Sequence, residues 1–305
     1  MWFRNLQLYR FTKPFELSAE ALEQKLARDT ARPCGSLEMS TLGWVPPLGR
    51  HGQLLVHEAN GRIMICLRKE EKVLPSAVIR EELEARSEAF EAEQGRPLRR
   101  RERTDLRENI VQELLPKAFT RANLTFAYLD PAQHWLVVDA ASPKRAEDLL
   151  SLLRRSIESL PVVPPATQLS PVTVMTRWLE QGQATGAFML EDECELREPG
   201  EEGGIVRVRR QDLAGDEIRA HLNAGKQAVK LALNWNERLH CVITDELGIR
   251  RLRFLDVVED EAAQADVDDY ASRFDADFAL MALELSHFIP QLLEAFGGLA
   301  EEQTL

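Results

Sequence analysis

The side chains with the clearest chemistry lie in the stretch GGIVRVRRQDL at positions 203–213. The two-residue period of a β-strand would turn its valines to one face and Arg207 and Arg209 to the other. Arg210 and Gln211 would follow at the end of the strand, where side chains reach outward. Guanidinium groups bind phosphate through planar, paired hydrogen bonds, so this row predicts a surface for a polyanion.

Two later stretches repeat this design. The strand period places Lys230 of AVKLALNW on the face opposite its leucines. In IRRLRFLD it places Arg251 and Arg253 opposite Leu252 and Phe254. Any half-buried antiparallel sheet needs a polar outer face, so a merely solvated surface is the alternative explanation. The three outer faces hold almost no acid, however, which favours a basic binding face.

A second basic patch, GRPLRRRERTDLR, lies between two helical patterns. Residues 95–121 hold eight basic and four acidic side chains. The centre of this patch is three consecutive arginines, Arg99, Arg100 and Arg101. A charge run at a helix turn is usually solvated surface. Together with the basic strands, it predicts a second contact to the same polyanion.

The aromatic residues indicate which polyanion is expected. Proteins that bind single strands usually stack the bases on exposed aromatic rings. The aromatic residues of the second half stand mostly at core-facing positions: Trp178, Trp235, Phe254, Phe274 and Phe278. Phosphate contacts to double-stranded DNA, with weaker binding of single strands, suit this pattern better. The sequence shows no helix-turn-helix or zinc-finger motif, so base-specific recognition is not expected.

The best candidate for metal chemistry is a group of aspartates near the C-terminal end: Asp266, Asp268, Asp269, Asp275 and Asp277. Converging carboxylates could hold two metal ions, and a metal-dependent nuclease is therefore an alternative function. Acids at the start of a helix are also explained by the helix dipole. The sequence contains no P-loop, G-x-G-x-x-G, G-x-S-x-G or H-E-x-x-H motif, so a protein without enzymatic activity or cofactor is expected.

The net charge of −12 conceals an uneven distribution. Residues 191–202 contain seven acids and one arginine, and residues 256–284 contain ten acids and one arginine. The remaining chain is mildly basic. No apolar run reaches the roughly 18 residues of a membrane span. Four scattered cysteines without a C-x-x-C pair indicate structural thiols in a reducing cytoplasm.

The periodic patterns predict an α+β protein in three regions. A central mixed α/β body takes residues 1–75 and 122–165, and a helical hairpin takes residues 76–121 as a tip. The proline-rich stretch PVVPPATQLSP separates the body from a base at 166–305, which combines a β-meander with helices.

Several local signals can be tested individually. Ser18 is expected to cap a first helix, and Asn60-Gly61 indicates a tight hairpin. In the helical tip, Thr104 or Asp105 is the expected N-cap of the second helix. The acidic stretch at 191–202 is expected to form a loop.

Seven segments in order along nearly the whole chain resemble one family, that of the bacterial recombination-associated protein RdgC. The segments are WFRNLQLYR, PCGSLEMSTLGWVPPLG, KEEKVLPSAVI, ELLPKAFTR, SLPVVP, RRQDL and RFDADFALM. The resemblance implies a ring-shaped homodimer that binds double-stranded DNA and limits RecA-promoted strand exchange at the bacterial nucleoid. The ring would close at tip-to-tip and base-to-base contacts around a basic lining.

The resemblance also implies roles for particular residues. Arg210 and Gln211 of RRQDL would contact DNA on the inner wall of the ring. Phe119 of LLPKAF would lie at the tip interface, where its ring could insert into the partner. A third class of function remains open beside the DNA-binding ring and the nuclease. It is a protein-binding regulator of recombination whose acidic segments contact RecA directly.

Overall fold

The computed structural model of the chain describes residues 1–200, 202–258 and 269–300. Its strands are β1 Leu6–Phe11, β2 Ser40–Val45, β3 Val56–Ala59, β4 Arg62–Val73, β5 Phe119–Asp130, β6 Trp135–Asp139, β7 Val162–Val163, β8 Phe188–Arg197, β9 Ile205–Arg209, β10 Gln227–Trp235, β11 Leu239–Thr244 and β12 Ile249–Phe254. Its principal helices are α1 Ala19–Leu26, α2 Ser76–Gln94, α3 Arg100–Leu114, α4 Pro143–Ile157, α5 Pro171–Gln181, α6 Asp216–Asn223 and α7 Tyr270–Ala295.

The strands form one open antiparallel sheet. Its order is β2-β4-β5-β6-β1-β12-β11-β10-β8-β9, with β3 beside β4 and β7 beside β1. Strand β1 joins the two halves, since it pairs with β6 on one side and with β12 at Leu6 and Ile249 on the other. The combination of helices with an open antiparallel sheet confirms the predicted α+β class.

Two apolar cores lie on opposite faces of this sheet. Alternate residues of β1 enter both cores: Leu6 and Leu8 pack with α7, whereas Tyr9 and Phe11 pack with α1 and α4. In β8 to β12 the inward residues, such as Leu231, join the first core beneath α5, α6 and α7. The opposite face of these five strands therefore carries their polar side chains.

The helical hairpin predicted at 76–121 extends from a long two-stranded ribbon. Strands β4 and β5 pair as far as Val73 and Phe119, and the two helices connect these ends. Gly95, with a φ of 64°, ends α2 in the left-handed conformation that glycine adopts without strain. The helices share a small buried core of their own: Ile79, Leu83 and Ile110.

The predicted start of the second hairpin helix is wrong. Thr104 and Asp105, the expected N-caps, lie inside α3, which begins at Arg100 after the N-cap Arg99. The carboxylate of Glu102 accepts a hydrogen bond from the backbone N–H of Arg99 at 2.8 Å, which satisfies a donor at the helix start. The three consecutive arginines therefore lie at the beginning of a helix and not in the turn before it.

The prediction of an acidic loop at 191–202 is also wrong for most of its length. Strand β8 occupies these residues as far as Arg197. Cys194 and Leu196 are buried in the first core, while the side chains of Glu193 and Glu195 lie on the opposite face. The acids follow the alternation of a strand, which their high local charge obscured in the sequence.

Other local predictions are confirmed. The hydroxyl of Ser18 accepts from the N–H of Ala21 and caps α1. Asn60 and Gly61, with φ angles of 51° and 75°, make the tight turn between β3 and β4. The region boundaries at 75, 121 and 165 stay predictions, since one sheet runs through body and base alike.

The hairpin core is small enough to be tested by one truncation. Replacing the fully buried Ile110 with alanine is expected to destabilise the packing of α2 on α3 by about 2–4 kcal/mol. Native-state hydrogen exchange should then show faster exchange in both helices while the sheet amides stay protected. Val78→Ala, an exposed position on the same hairpin, is the control. Equal protection of the hairpin in Ile110→Ala and Val78→Ala would contradict an independent hairpin core.

Candidate nucleic-acid interface

The uncovered face of β8 to β12 carries the predicted basic side chains. Arg207 and Arg209 of β9 are about two-thirds exposed, with 67% and 70% of their side-chain surfaces accessible. Lys230 of β10 and Arg251 of β12 also reach solvent from this face. The strand period therefore predicted the direction of these four side chains correctly.

Four of the predicted cations line one groove. The groove has a volume of about 420 Å³ and runs across the polar face. Its charged lining consists of Arg207, Arg209, Lys230, Arg250 and Arg251 together with Glu193 and Glu195. The structure thus joins residues from β9, β10 and β12 that lie far apart in the sequence. Arg253, predicted for the same surface, is exposed on β12 opposite His240 but does not line the groove.

The three predicted strands carry almost no acid outward, but β8, which was expected to be a loop, adds two carboxylates to the same face. Glu195 is nearly buried, with 5% of its surface exposed. Its Oε2 accepts from the Nε of Arg207 at 2.9 Å and from the Nζ of Lys230 at 3.0 Å. Burial alone would raise the pKa of Glu195, but the two cations more than offset that effect and hold it below its usual value.

The second carboxylate lies one strand repeat away. Oε1 of Glu193 is 2.6 Å from a terminal nitrogen of Arg251 and 3.5 Å from the Nε of Arg209. The hydrogen bond from Arg251 is the main reason why the pKa of Glu193 is lowered. Both glutamates are therefore charged at neutral pH, and each contacts two cations of the groove.

Arg250 and Arg251 show what strand alternation could not predict. The register between β11 and β12 shifts between His240 and Val242, which is the mark of a β-bulge. Arg251 lies at this irregularity with a left-handed φ of 49°. Two consecutive arginines thereby line the same groove, although a regular strand would send them to opposite faces. Arg250 is the residue that sequence reasoning missed.

Arg210 and Gln211 lie at an adjoining groove, at the end of β9. Arg210 has a left-handed φ of 55°, and the N–H of Gln211 donates to the carbonyl of Asp192 at 3.3 Å. Both side chains are exposed and line a hollow of about 660 Å³ that Glu191 and Asp192 also line. Arg210 and Gln211 line this hollow and not the β8–β12 groove. The hollow and the groove are therefore two separate, neighbouring surfaces along β8 and β9.

The comparisons with known proteins agree over the full length. The family model described as "Putative exonuclease, RdgC" matches residues 1–299. A "Recombination-associated protein RdgC" from Tolumonas auensis is 51% identical over 298 residues, covering 98% of this chain and 99% of the relative. The protein of that name from Aeromonas hydrophila subsp. hydrophila is 51% identical over 305 residues, which is all of both chains. The chain belongs to the RdgC family.

The aromatic residues of this RdgC-family chain occupy the positions that the sequence predicted. All five are buried, with at most 6% of their surfaces exposed: Trp178, Trp235, Phe254, Phe274 and Phe278. The groove lining contains no aromatic ring among the described residues. The face therefore offers charge and hydrogen-bond donors to a ligand, and no stacking platform.

The predicted arginines of the tip lie apart from the groove. Arg99, Arg100 and Arg101 are exposed at the start of α3. The hairpin extends from β4 and β5, near the opposite end of the strand order from β8 and β9. Among the described residues, no ion pair neutralises Arg100 or Arg101. They form a second basic surface, separate from the first.

Phe119 is the most exposed large apolar residue of the described chain. It begins β5 with 87% of its surface accessible, opposite the exposed Val73 of β4. A phenylalanine ring so fully in water is unfavourable unless another surface covers it.

Within the described residues, no helix has the length and apolar character needed to cross a membrane.

The aspartates considered for a metal site have other partners where the structure describes them. Asp269 caps α7 by accepting from the backbone of Ala271 and Ser272. Asp275 lies 3.1 Å from Nε2 of His57, and Asp277 pairs with the N-terminal ammonium group. Asp266 and Asp268 lie outside the described residues. In the described part of the chain, no three metal-ligating side chains converge.

The cysteines behave as the sequence predicts for structural thiols. Cys66, Cys194 and Cys241 are buried, and Cys34 is half-buried without a disulfide partner. Burial raises the pKa of the first three thiols to about 12, so they stay protonated and unreactive at neutral pH.

Proposed function

We propose that this RdgC-family protein binds double-stranded DNA without reading its sequence. The observation that supports this most strongly is the β8–β12 groove, where cations from three strands share one polar face. Arginine and lysine contact phosphate oxygens, which recur identically along any duplex. The name of the relatives, which associates them with recombination, favours DNA over another polyanion.

The side chains around the groove favour a duplex over a single strand. A single strand exposes its bases, and proteins that hold it usually stack those bases on aromatic rings. The aromatic residues near this face are buried beneath the sheet instead. A groove of guanidinium groups on a firm sheet suits the regular phosphate spacing of a duplex, so single strands should bind more weakly.

The protein acts, in this proposal, as a ring-shaped homodimer that encircles the duplex. Phe119 and Val73 supply an exposed apolar contact on the β4–β5 ribbon, which fits a tip-to-tip interface. The base would form the second interface. A closed ring would keep weakly bound DNA from escaping, because the duplex could leave only when an interface opens.

Such a ring would regulate recombination by occupying DNA. A duplex enclosed by protein cannot admit the RecA filament that carries out strand exchange, so inhibition requires no enzymatic step. The protein would act in the cytoplasm, at the nucleoid. Direct contact between acidic segments and RecA is the competing explanation, and the DNA-contact variants below separate the two.

Removing the side chains at the end of β9 tests the DNA contact. The double variant Arg210→Ala, Gln211→Ala is expected to bind duplex DNA about tenfold more weakly, with the slope of log K against log salt reduced by about 1. Gel-shift titration of unrelated duplexes across a salt series measures both quantities. Arg177→Ala, an exposed arginine on α5 beyond the opposite face of the sheet, is the matched control.

The same double variant decides between the steric and protein-binding mechanisms. Steric occupation predicts that it inhibits RecA strand exchange less, in proportion to its weaker DNA binding. Full inhibition by a variant that has lost DNA affinity would support direct contact with RecA instead. Binding that does not respond to salt, or strong preference for one sequence, would contradict the proposal as a whole.

Phe119→Ser tests the tip interface. Loss of the exposed ring should weaken the tip contact, open the dimer and reduce inhibition of strand exchange. Crosslinking through cysteines introduced near the tip, together with sedimentation, measures ring closure directly. Leu124→Ser is the control, since Leu124 is exposed on the other face of β5. Equal crosslinking of Phe119→Ser and wild type would refute the assigned role.

A nuclease is the second candidate function, because the family model is described as an exonuclease. Our proposal expects linear DNA to remain intact during incubation with Mg²⁺ or Mn²⁺, as judged by release of end-labelled nucleotides. If the DNA is degraded, Asp275→Ala provides the deciding comparison, with Asp216→Ala, an exposed aspartate on α6, as its control. Degradation that Asp275→Ala alone abolishes would establish an enzyme.

A further inference from the structure

Glu193 and Glu195 are unexpected in a surface that binds a polyanion. They stand among five cations in the lining of the β8–β12 groove. An acid near DNA repels phosphate, and an acid paired with arginine also occupies one of its donors and offsets its charge. Their positions on the sheet show that these contacts are part of its register and not chance encounters of flexible side chains.

We infer that Glu193 and Glu195 compete with DNA phosphate for the cations of the groove and thereby lower its affinity for DNA. This inference rests on the proposed DNA binding and assigns a role to two glutamates that the proposed function does not use. Each carboxylate takes the place that a phosphate oxygen would take between two cations. DNA is attracted less strongly by these cations than by unpaired ones, because each glutamate offsets part of their positive charge.

The first argument is the cross-strand register. Strand β8 lies between β9 and β10, and Glu195 is directly opposite Arg207 on one side and Lys230 on the other. Directly opposite side chains on one face have their Cβ atoms about 5 Å apart, so the three groups form a short ladder across the sheet. Glu193 stands opposite Arg209 in the same way. The backbone therefore holds both carboxylates beside their cations.

The second argument is the particular nitrogen that each cation uses. Arg207 and Arg209 contact the carboxylates through Nε, and about two-thirds of each side chain stays exposed to solvent. Lys230 uses its single ammonium group, and Arg251 uses a terminal nitrogen at 2.6 Å. The two arginines of β9 can thus bind phosphate while still paired. Lys230 and Arg251, which are nearly half-exposed, also keep further N–H donors for phosphate, but a glutamate already offsets part of their charge.

The third argument is burial. Glu195 is nearly enclosed by the cations around it, so it cannot swing away when DNA arrives. If its cations turn toward phosphate, Glu195 loses part of the attraction that stabilises its charge in a poorly solvated position, which is unfavourable. Binding of DNA is weakened by that amount, and its release is correspondingly faster. A ring that encircles DNA gains from this, because it holds the duplex by topology and moves along it freely.

The variants Glu193→Gln and Glu195→Gln test the inference, since glutamine keeps a hydrogen-bond acceptor but removes the charge. Duplex affinity at about 0.1 M salt should rise about threefold for either variant and about tenfold for both, as one unit charge does across several ångströms of water. Because each substitution removes one compensating negative charge from the groove, the salt slope of the double variant should steepen by up to about 0.9 for each glutamate replaced. Dissociation rates should fall in parallel.

Glu180→Gln is the matched control, because Glu180 is exposed on α5 and changes the net charge equally on the opposite side of the sheet. Thermal unfolding verifies that each variant is folded, and the more exposed Glu193 gives a second test if Glu195→Gln is unstable. If the wild type binds DNA but the folded glutamine variants bind it no more tightly, the inference is wrong while the proposed function stands. Absence of salt-dependent binding by the wild type would overturn the proposed function as well.

Discussion

The packing of α7 against one face of the sheet determines what the other face can be. This long helix buries Phe278, Met281, Leu285 and other apolar residues against β1 and against strands of both halves. Helices α5 and α6 complete the same layer. Once this side takes the alternate apolar residues of β8 to β12, the remaining side chains of those strands must face outward. The uncovered basic face is thus the consequence of a one-sided core.

A basic face on a sheet has an electrostatic difficulty, and β8 reduces it. Strands lie about 5 Å apart, so without acids on β8 the cations of β9 and β10 would repel one another across about 10 Å. The pairs that Glu195 makes with Arg207 and Lys230 replace this repulsion with attraction. The same contacts that stabilise the sheet offset part of the positive charge that would attract DNA in the proposed function. The charge of Glu195 therefore stabilises the fold but opposes the proposed DNA binding, and this is why a low affinity for DNA is expected.

The strands and helices could largely be predicted from the sequence, because period and capping are local properties. The outward direction of Arg207 and Arg209 needed only the strand period. Charge misled the prediction at β8, where a run of acids resembles a solvated loop although its alternate residues enter the core. The bulge that brings Arg250 into the groove depends on the pairing of β11 with β12, so no pattern within one strand could reveal it. Phe119 was singled out only by the family resemblance, which also supplied the expected role of Gln211.

The positions of the two proposed contact regions bear on how a ring could work. The groove lies on strands at one end of the sheet order, whereas Phe119 lies on the β4–β5 ribbon near the other. One sheet connects the two, and β1, which belongs to both cores, forms its middle. Movement of the ribbon relative to the groove would have to bend this paired and doubly packed sheet. We therefore expect the proposed ring to open at the tip by separation of the apolar contact at Phe119, which would leave the proposed DNA-binding face unchanged.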